Sequence, residues 1–327
     1  MPASILRWGL LSTAHINRNL LGPLRASKRN KLLAVASRSQ DGADEYARKN
    51  KVKRSYGSYA DLLADPEIDV IYNPLPNHLH AEWTIKAVQA GKHVLCEKPL
   101  ALSLEEVDAI SAAAEKYGKV VAEAFMYRTH PQTLKVQEIV AGGKLGKIKL
   151  VRGSYTYTAT NPENIRWKPE MGGGCLWDVG CYPLSYTRAM LGVEPQEVFG
   201  SQVVDPTGVD ELFAAQLRFP EDVFAQFDCS FKIPYHTFME IVGDEGTLII
   251  PRPFTPGIKE KLFLTRGGKM ERIAIKGTEL YSGEVEDMSD AILLGNPPKV
   301  SLADSRSNTA AILALLESAK TGKPVKM

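Results

Sequence analysis

The sequence predicts a doubly wound α/β domain followed by an α+β domain with a large, mostly antiparallel open sheet, and three observations carry that expectation. Over the first 126 residues, short apolar runs that do not alternate recur between amphipathic stretches, the pattern of strands covered on both faces by helices. After about Tyr127 the runs alternate apolar with polar residues and follow one another across short turns such as FPEDV, GDEG and RGGK, which is antiparallel patterning. The chain has 327 residues, 44% hydrophobic and 24% charged, enough for two cores of this kind. Residues 1–126 are therefore expected to form one domain and 127–327 a second.

In order, ILRWGLL (5–11) reads as a strand and 15–27 as a helix with Ile16, Leu20, Leu21 and Leu24 on one face. KLLAVAS (31–37) is a second strand and 41–49 a charged helix. IDVIYN (68–73), a helix over 78–90, KHVLCE (92–97), a helix over 103–117 and KVVAEAF (119–125) complete the parallel series. In the second half a helix at 131–141 leads into KIKLVRGSYTYTA (147–159). Further strands are predicted at 196–204, 211–219, 223–231, 237–242, 247–250, 261–265 and 270–275, and helices at 279–294 and 302–321. About seven strands with few helices to cover them leave one sheet face without a partner, so a homodimer or a tetramer of such dimers is expected.

Net charge is only +2 and no long Lys/Arg run occurs, which excludes basic recognition of nucleic acid or a membrane surface. The opening MPASILRWGLLSTAH has too short an apolar run for a signal peptide, and no segment is long enough to span a bilayer. Cys96, Cys175, Cys181 and Cys229 form no C-x-x-C pair and no metal-ligand cluster with histidines. A cytoplasmic protein with reduced thiols and no metal is expected.

In an open parallel sheet, ligands bind beyond the carboxyl ends of the strands, where strand order reverses. At the first such end, the positions of G-x-G-x-x-G hold Ser12, Ala14 and Asn17, with no glycine left. The physical requirement is looser than the motif. Small residues at 12 and 14 let a pyrophosphate approach the backbone, a helix N-terminus offers N–H groups around His15 and Ile16, and Ser12 and Thr13 add hydroxyls; taken alone, the turn reads equally as a plain strand-helix corner. After the second strand an NAD site places an acid on the ribose, whereas this chain has Ser37-Arg38-Ser39. A guanidinium between two hydroxyls suits a 2′-phosphate, favouring NADP, with NAD possible.

The stretch GKHVLCEKPLAL (91–102) stops an apolar strand with Glu97, Lys98 and Pro99, where a lone lysine would ordinarily be a solvated one. With NPLPNHLH (73–80), CEKPLA (96–101) and GGGCLWDVGCY (172–182) in this order and spacing, the chain resembles the Gfo/Idh/MocA oxidoreductases, the glucose–fructose oxidoreductase and inositol dehydrogenase family, over nearly its whole length. The resemblance implies a Rossmann domain, a C-terminal domain whose open sheet serves oligomerisation, and NAD(P)-linked oxidation of sugars or cyclic polyols. It also implies a cis Lys98–Pro99 bond, which puts Lys98 and the neighbouring Glu97 beside the nicotinamide. Asn73, Leu75, Pro76, Asn77 and His80 become cofactor neighbours, although His80 on a helix is also compatible with plain packing. Arg128 and His130 border the cleft; Trp167-Lys168 either stack on sugar or nicotinamide or close a loop.

Three glycines at 172–174 suit only a backbone that something must approach closely. A helix is expected to begin near Leu176, which puts Asp178 near its N-terminus and Asp178 and Tyr182 four apart on one face. Tyr182, where many members carry His, resembles the branch with glucose–fructose oxidoreductase, dimeric dihydrodiol dehydrogenase and NADP-dependent xylose dehydrogenase. A tyrosine packed in the interior is the plain alternative. Oxidising a sugar hydroxyl needs a proton acceptor. Tyr182 with Lys98 lowering its pKa is one assignment; Lys98 as direct base with Tyr182 orienting the hydroxyl is the other. Asp178 would hold the substrate hydroxyls or Lys98. The expected activity is NADP-dependent oxidation of an aldose at C1 or of a related cyclic polyol. A dihydrodiol-type dehydrogenase or anhydro-sugar reductase is the rival on the same fold, and a redox-assisted glycosidase a further one. A non-catalytic dinucleotide sensor is the rival of another class, and it has no need of Lys98, Asp178 and Tyr182.

Overall fold

In the computed structural model, which describes residues 5–327, the chain divides into two compact units. One comprises residues up to Met126 together with Tyr281–Arg306; the other comprises Tyr127–Leu280 with Ser307–Met327. The strands are β1 (Leu6–Leu10), β2 (Asn30–Ala36), β3 (Arg54–Tyr56), β4 (Val70–Asn73), β5 (His93–Glu97), β6 (Val121–Ala124), β7 (Ile148–Thr156), β8 (Glu197–Val204), β9 (Asp210–Phe219), β10 (Val223–Ser230), β11 (His236–Gly243), β12 (Gly246–Ile250), β13 (Lys259–Arg266), β14 (Lys269–Lys276) and β15 (Val325–Lys326). The helices are α1 (Arg18–Ala26), α2 (Gln40–Lys49), α3 (Tyr59–Ala64), α4 (His80–Gln89), α5 (Leu104–Tyr117), α6 (Pro131–Ala141), α7 (Cys181–Leu191), α8 (Ser282–Leu294) and α9 (Leu302–Thr321).

The first unit is a six-stranded sheet in the order β3-β2-β1-β4-β5-β6, parallel throughout. Its central strands are buried on both faces, β4 along its whole length, as their unbroken apolar runs require. Serines cap α2, α3 and α5: Ser39, Ser58 and Ser103 each accept the N–H three residues on. β3 and α3 lie where the sequence showed no periodicity, being three and six residues long. α8 belongs to this unit, although the sequence placed all of 127–327 in the second domain. Its attachment is polar and remote in sequence. The Arg29 guanidinium pairs with Glu286 and Asp290, and the buried Asn30 amide donates to Ser289 Oγ at 2.7 Å while its oxygen accepts from Trp8 Nε1 at 2.7 Å.

The second unit is a nine-stranded sheet in the order β14-β13-β12-β11-β7-β10-β9-β8-β15. All neighbours are antiparallel except β7 and β10, which run parallel. Along β9 the side chains of Phe213, Ala215, Leu217 and Phe219 turn into the core and those of Ala214, Gln216 and Arg218 turn out, the two-residue period expected of a sheet covered on one side. On the inner face α9 lies against β8, where Gly200 N–H donates to Ser318 Oγ at 3.0 Å. Phe199, Val203, Phe224 and Ile249 remain exposed.

Candidate active site

Because β1 to β6 are parallel, every loop at their carboxyl ends lies along one edge of the sheet, and strand order reverses between β1 and β4. That edge collects Ser12–Ile16 after β1, Ser37–Ser39 after β2, Pro74–Asn77 after β4 and Lys98–Pro99 after β5. At the first loop Ser12 Oγ accepts the Ala14 N–H at 3.1 Å and Asn17 Nδ2 donates to the Ser12 carbonyl at 2.7 Å, closing a tight turn without glycine. One 3₁₀ turn (His15–Asn17) leads into α1, and neither helix start has a side-chain cap. Uncapped N–H groups behind an exposed Thr13 and His15 fit the pyrophosphate of a dinucleotide. Arg38 is exposed, with no hydrogen bond or ion pair to a described residue, near the Tyr59 hydroxyl.

Lys98 sits on a loop pinned on both sides. Tyr72, fully buried, donates its hydroxyl to Glu97 Oε1 at 2.5 Å; Leu100 N–H donates to the buried Glu123 at 2.9 Å; Leu102 N–H donates to Glu106 at 2.9 Å. The Lys98–Pro99 bond is cis. His80 ties this loop to the one after β4: Nδ1 lies 2.7 Å from the Pro99 carbonyl and Nε2 2.6 Å from that of Leu75. Burial lowers the His80 pKa to about 4, with Lys98 and His78 adding to the effect. Carbonyls only accept, so the neutral ring donates to one of them and its tautomer selects which. Asn73 is likewise buried, its amide donating to the His80 carbonyl and Thr84 Oγ1 and its oxygen accepting the Leu75 N–H. The side chains of Asn73 and His80 therefore shape the loop from within, and Leu75 is buried too. Pro76 and Asn77 are half-buried at the loop's surface.

In the second unit, the expected helix at Leu176 opens as a π-helical segment, Leu176–Gly180, before α7. π-turns of this kind are frequent at functional sites. Asp178 projects from it and Tyr182 from the first turn of α7. Asp178 Oδ2 receives Arg166 Nε at 2.6 Å and the Tyr157 hydroxyl at 2.8 Å. The Tyr182 ring is boxed by Tyr155, Phe254 and Tyr127, with ring centroids 5.3, 5.6 and 5.8 Å away. Burial first and the Asp178 charge second hold the Tyr155 and Tyr157 phenols well above their ordinary range, while Arg166 acts in the opposite direction on both.

The glycine run does what its composition suggests, but for a protein group. Gly174 has φ +114°, and a Cβ there would meet Asp210 Oδ1 at 2.1 Å. Asp210, buried on β9, takes the Leu176 N–H at 2.6 Å and the Cys175 thiol at 3.0 Å, capping the turn from 34 residues away. Burial pushes its pKa up to about 6 against those donors. Tyr155, Tyr157, Arg166, Asp210 and Phe254 were not read from the sequence. Only the Y-x-Y pattern at the end of β7, with Tyr155 in the strand and Tyr157 just past it, was a usable signal.

Arg128 is buried and donates to Ser185 Oγ at 3.1 Å, next to the Tyr127 hydroxyl. His130 caps α6 by accepting the Gln132 N–H at 3.1 Å and is buried. Trp167 packs edge-on against Phe231 under the Lys232 ammonium, closing the loop, and the Lys168 carbonyl accepts the Gly173 N–H. Thus Arg128, Trp167 and Lys168 belong to the unit that carries Asp178 and Tyr182, and the phosphate-turn and Lys98 loops to the other. All four cysteines are buried and unbridged, no cluster of potential metal ligands occurs among the described residues, and none of their helices is long and apolar enough to cross a membrane.

A 3-2-1-4-5-6 parallel sheet with a phosphate-ready first turn, joined to a sheet unit bearing a carboxylate and a phenol on one turn, defines a dinucleotide-dependent oxidoreductase. Residues 6–125 match the oxidoreductase family with an NAD-binding Rossmann fold, and 133–249 match the GFO/IDH/MocA C-terminal domain. The chain belongs to the Gfo/Idh/MocA oxidoreductases, enzymes that include sugar and polyol dehydrogenases. It is 33% identical to a D-xylose 1-dehydrogenase (NADP(+)) of Haloferax volcanii, over 98% of this chain and 100% of that one. Among solved structures it resembles an aldose-aldose oxidoreductase from Caulobacter crescentus complexed with glycerol (TM-score 0.92, 25% identity, 99% of this chain and 100% of that one). A 3-ketoreductase from Actinomadura kijaniata in complex with NADP and TDP-benzene is also similar (TM-score 0.91, 28% identity, 96% and 98%).

Proposed function

We propose that this enzyme is an NADP-dependent dehydrogenase that oxidises an aldose at C1 to the lactone, or a closely related cyclic polyol. The observation that carries the reading is the turn that sets Asp178 and Tyr182 among aromatic rings, a carboxylate to hold hydroxyls beside a phenol able to exchange a proton. The names of the Haloferax and Caulobacter relatives support an aldose, and Arg38 with Ser37, in a place where an acid would serve NAD, supports NADP. The unit containing β1 to β6 is assigned the dinucleotide and the unit containing β7 to β15 the substrate.

When bound, the nicotinamide supplies the hydride acceptor. Tyr182 takes the proton of the C1 hydroxyl, and the Lys98 ammonium favours the phenolate that does so. In the alternative assignment Lys98 is the base and Tyr182 orients the hydroxyl. Asp178, paired with Arg166, accepts from substrate hydroxyls. A second reading, oxidation of a cyclic diol, is favoured by the aromatic rings around Tyr182.

A panel of aldoses, polyols and cyclic diols with NADP⁺ and NAD⁺, followed by reduced-nicotinamide absorbance, tests the reading; no turnover of any of them refutes it. With the best substrate, Lys98→Met and Tyr182→Phe should each lower kcat by about 10²–10⁴-fold and leave NADP⁺ affinity nearly intact. The double variant should lose little more than the worse single one. Near-normal turnover by Tyr182→Phe would transfer the base role to Lys98.

A further inference from the structure

We propose that Arg166 is a positioning residue of the substrate turn: its guanidinium neutralises Asp178, so that the carboxylate can hold substrate hydroxyls without opposing loss of the Tyr182 proton. The inference rests on Tyr182 as the proton-exchanging group.

The turn poses an electrostatic problem. A phenol that must become a phenolate lies four residues from a carboxylate, and two like charges in one site disfavour each other's ionisation. The effect of Asp178 is already visible on its neighbours, since its charge helps hold the Tyr155 and Tyr157 phenols up. Arg166 is built to cancel it. Its Nε meets Asp178 Oδ2 at 2.6 Å, and Tyr157 donates to the same oxygen at 2.8 Å. Asn164 Oδ1 accepts both the Arg166 N–H at 3.1 Å and Nη1 at 3.2 Å, fixing the backbone and the fork together. The Asp178 side chain is only 13% exposed, so little water is left to screen it.

Lys98 is the other cation of the proposed mechanism, acting on the phenolate, whereas Arg166 is hydrogen-bonded directly to Asp178. Tyr155 on β7 and Tyr127 and Tyr186 in the ring cluster are neutral phenols, and Arg128 is turned to Ser185 on the next turn of α7. Arg166 itself responds to Tyr182 as well as to Asp178, so it lies within electrostatic range of both groups.

The test is a spectroscopic titration of Tyr182 in the substrate-free enzyme. It is taken as the tyrosinate absorbance difference between each protein and the same protein carrying Tyr182→Phe. Arg166→Gln should raise the Tyr182 titration by about one to three pH units, the range for a nearby uncompensated charge. Arg166→Lys should leave it near wild type. Adding Asp178→Asn to Arg166→Gln should bring it back, a rescue that a merely structural arginine does not provide. Asp178→Asn alone should lower the titration, and this arm decides the matter if Arg166→Gln does not fold. An unmoved titration in Arg166→Gln, a double variant that titrates with Arg166→Gln, or an unmoved Asp178→Asn overturns the proposal. The measurement needs no turnover, so an enzyme inactive on every panel substrate would refute the proposed function while this result stood or fell by itself.

Discussion

Replacing Asp210 by asparagine should remove a pH dependence of stability that is built into the glycine turn. The wild-type carboxyl is 5% exposed and held by the Leu176 N–H and the Cys175 thiol, with no cation paired to it. The donors favour the anion and burial favours the acid; burial wins, moving the pKa from 3.8 to about 6. Below the unfolded value both states hold the proton and the stabilising contribution is whole. Between the two values the folded protein keeps its proton while the unfolded chain releases it, so stability falls as pH rises, and the loss is complete above about pH 6. A gap of about two pH units corresponds to about 3 kcal/mol. Asparagine keeps an oxygen for Leu176 but cannot ionise. Urea unfolding of both proteins at steps from pH 4 to pH 7 isolates the effect, because every other titrating group cancels in the difference. The variant should gain on wild type by about 3 kcal/mol across that range. A difference independent of pH, or one that moves in the variant's disfavour as pH rises, would refute the reasoning.

Two further outcomes are expected. Arg38→Ala should weaken NADP⁺ by a few kcal/mol, the range for charge-assisted bonds, and hardly touch NAD⁺; equal losses, or a wild-type preference for NAD⁺, would sink the 2′-phosphate assignment. The exposed sheet face bearing Phe199, Val203 and Phe224 should be covered by a second copy of the chain, giving a homodimer or a tetramer of such dimers. Phe224→Asp should then shift light scattering to the monomer mass, whereas a wild-type monomer at micromolar concentration would contradict the idea.

The parallel sheet was legible because its strands are apolar on both faces, and the second sheet because residues such as Phe213 to Phe219 alternate. The π-helical start of the Asp178 turn was not, since its apolar residues suit an ordinary helix equally well and the extra residue per turn leaves no compositional mark. Lys98, Asp178 and Tyr182 stood out through short motifs. Their supports did not: Arg166 reads as one more surface arginine until its loop folds back, and Asp210 is one acid among the 38 Asp and Glu residues until β9 brings it under Gly174. Nor did the motif show how Asn73 and His80 are held: a buried polar side chain must find partners, and both find them in the loops after β4 and β5.

α8 carries a consequence for biosynthesis. The dinucleotide unit is drawn mostly from residues before Tyr127, but its packing includes Val285 and Met288 and the clasp of Arg29 and Asn30 on Glu286, Asp290 and Ser289. A nascent chain that has emerged only as far as Met126 therefore presents a sheet with the α8 side of α1 uncovered, and it must wait for most of the remaining sequence before that face closes. Chaperone contact, and vulnerability to proteases, should concentrate in this interval of synthesis rather than at its end.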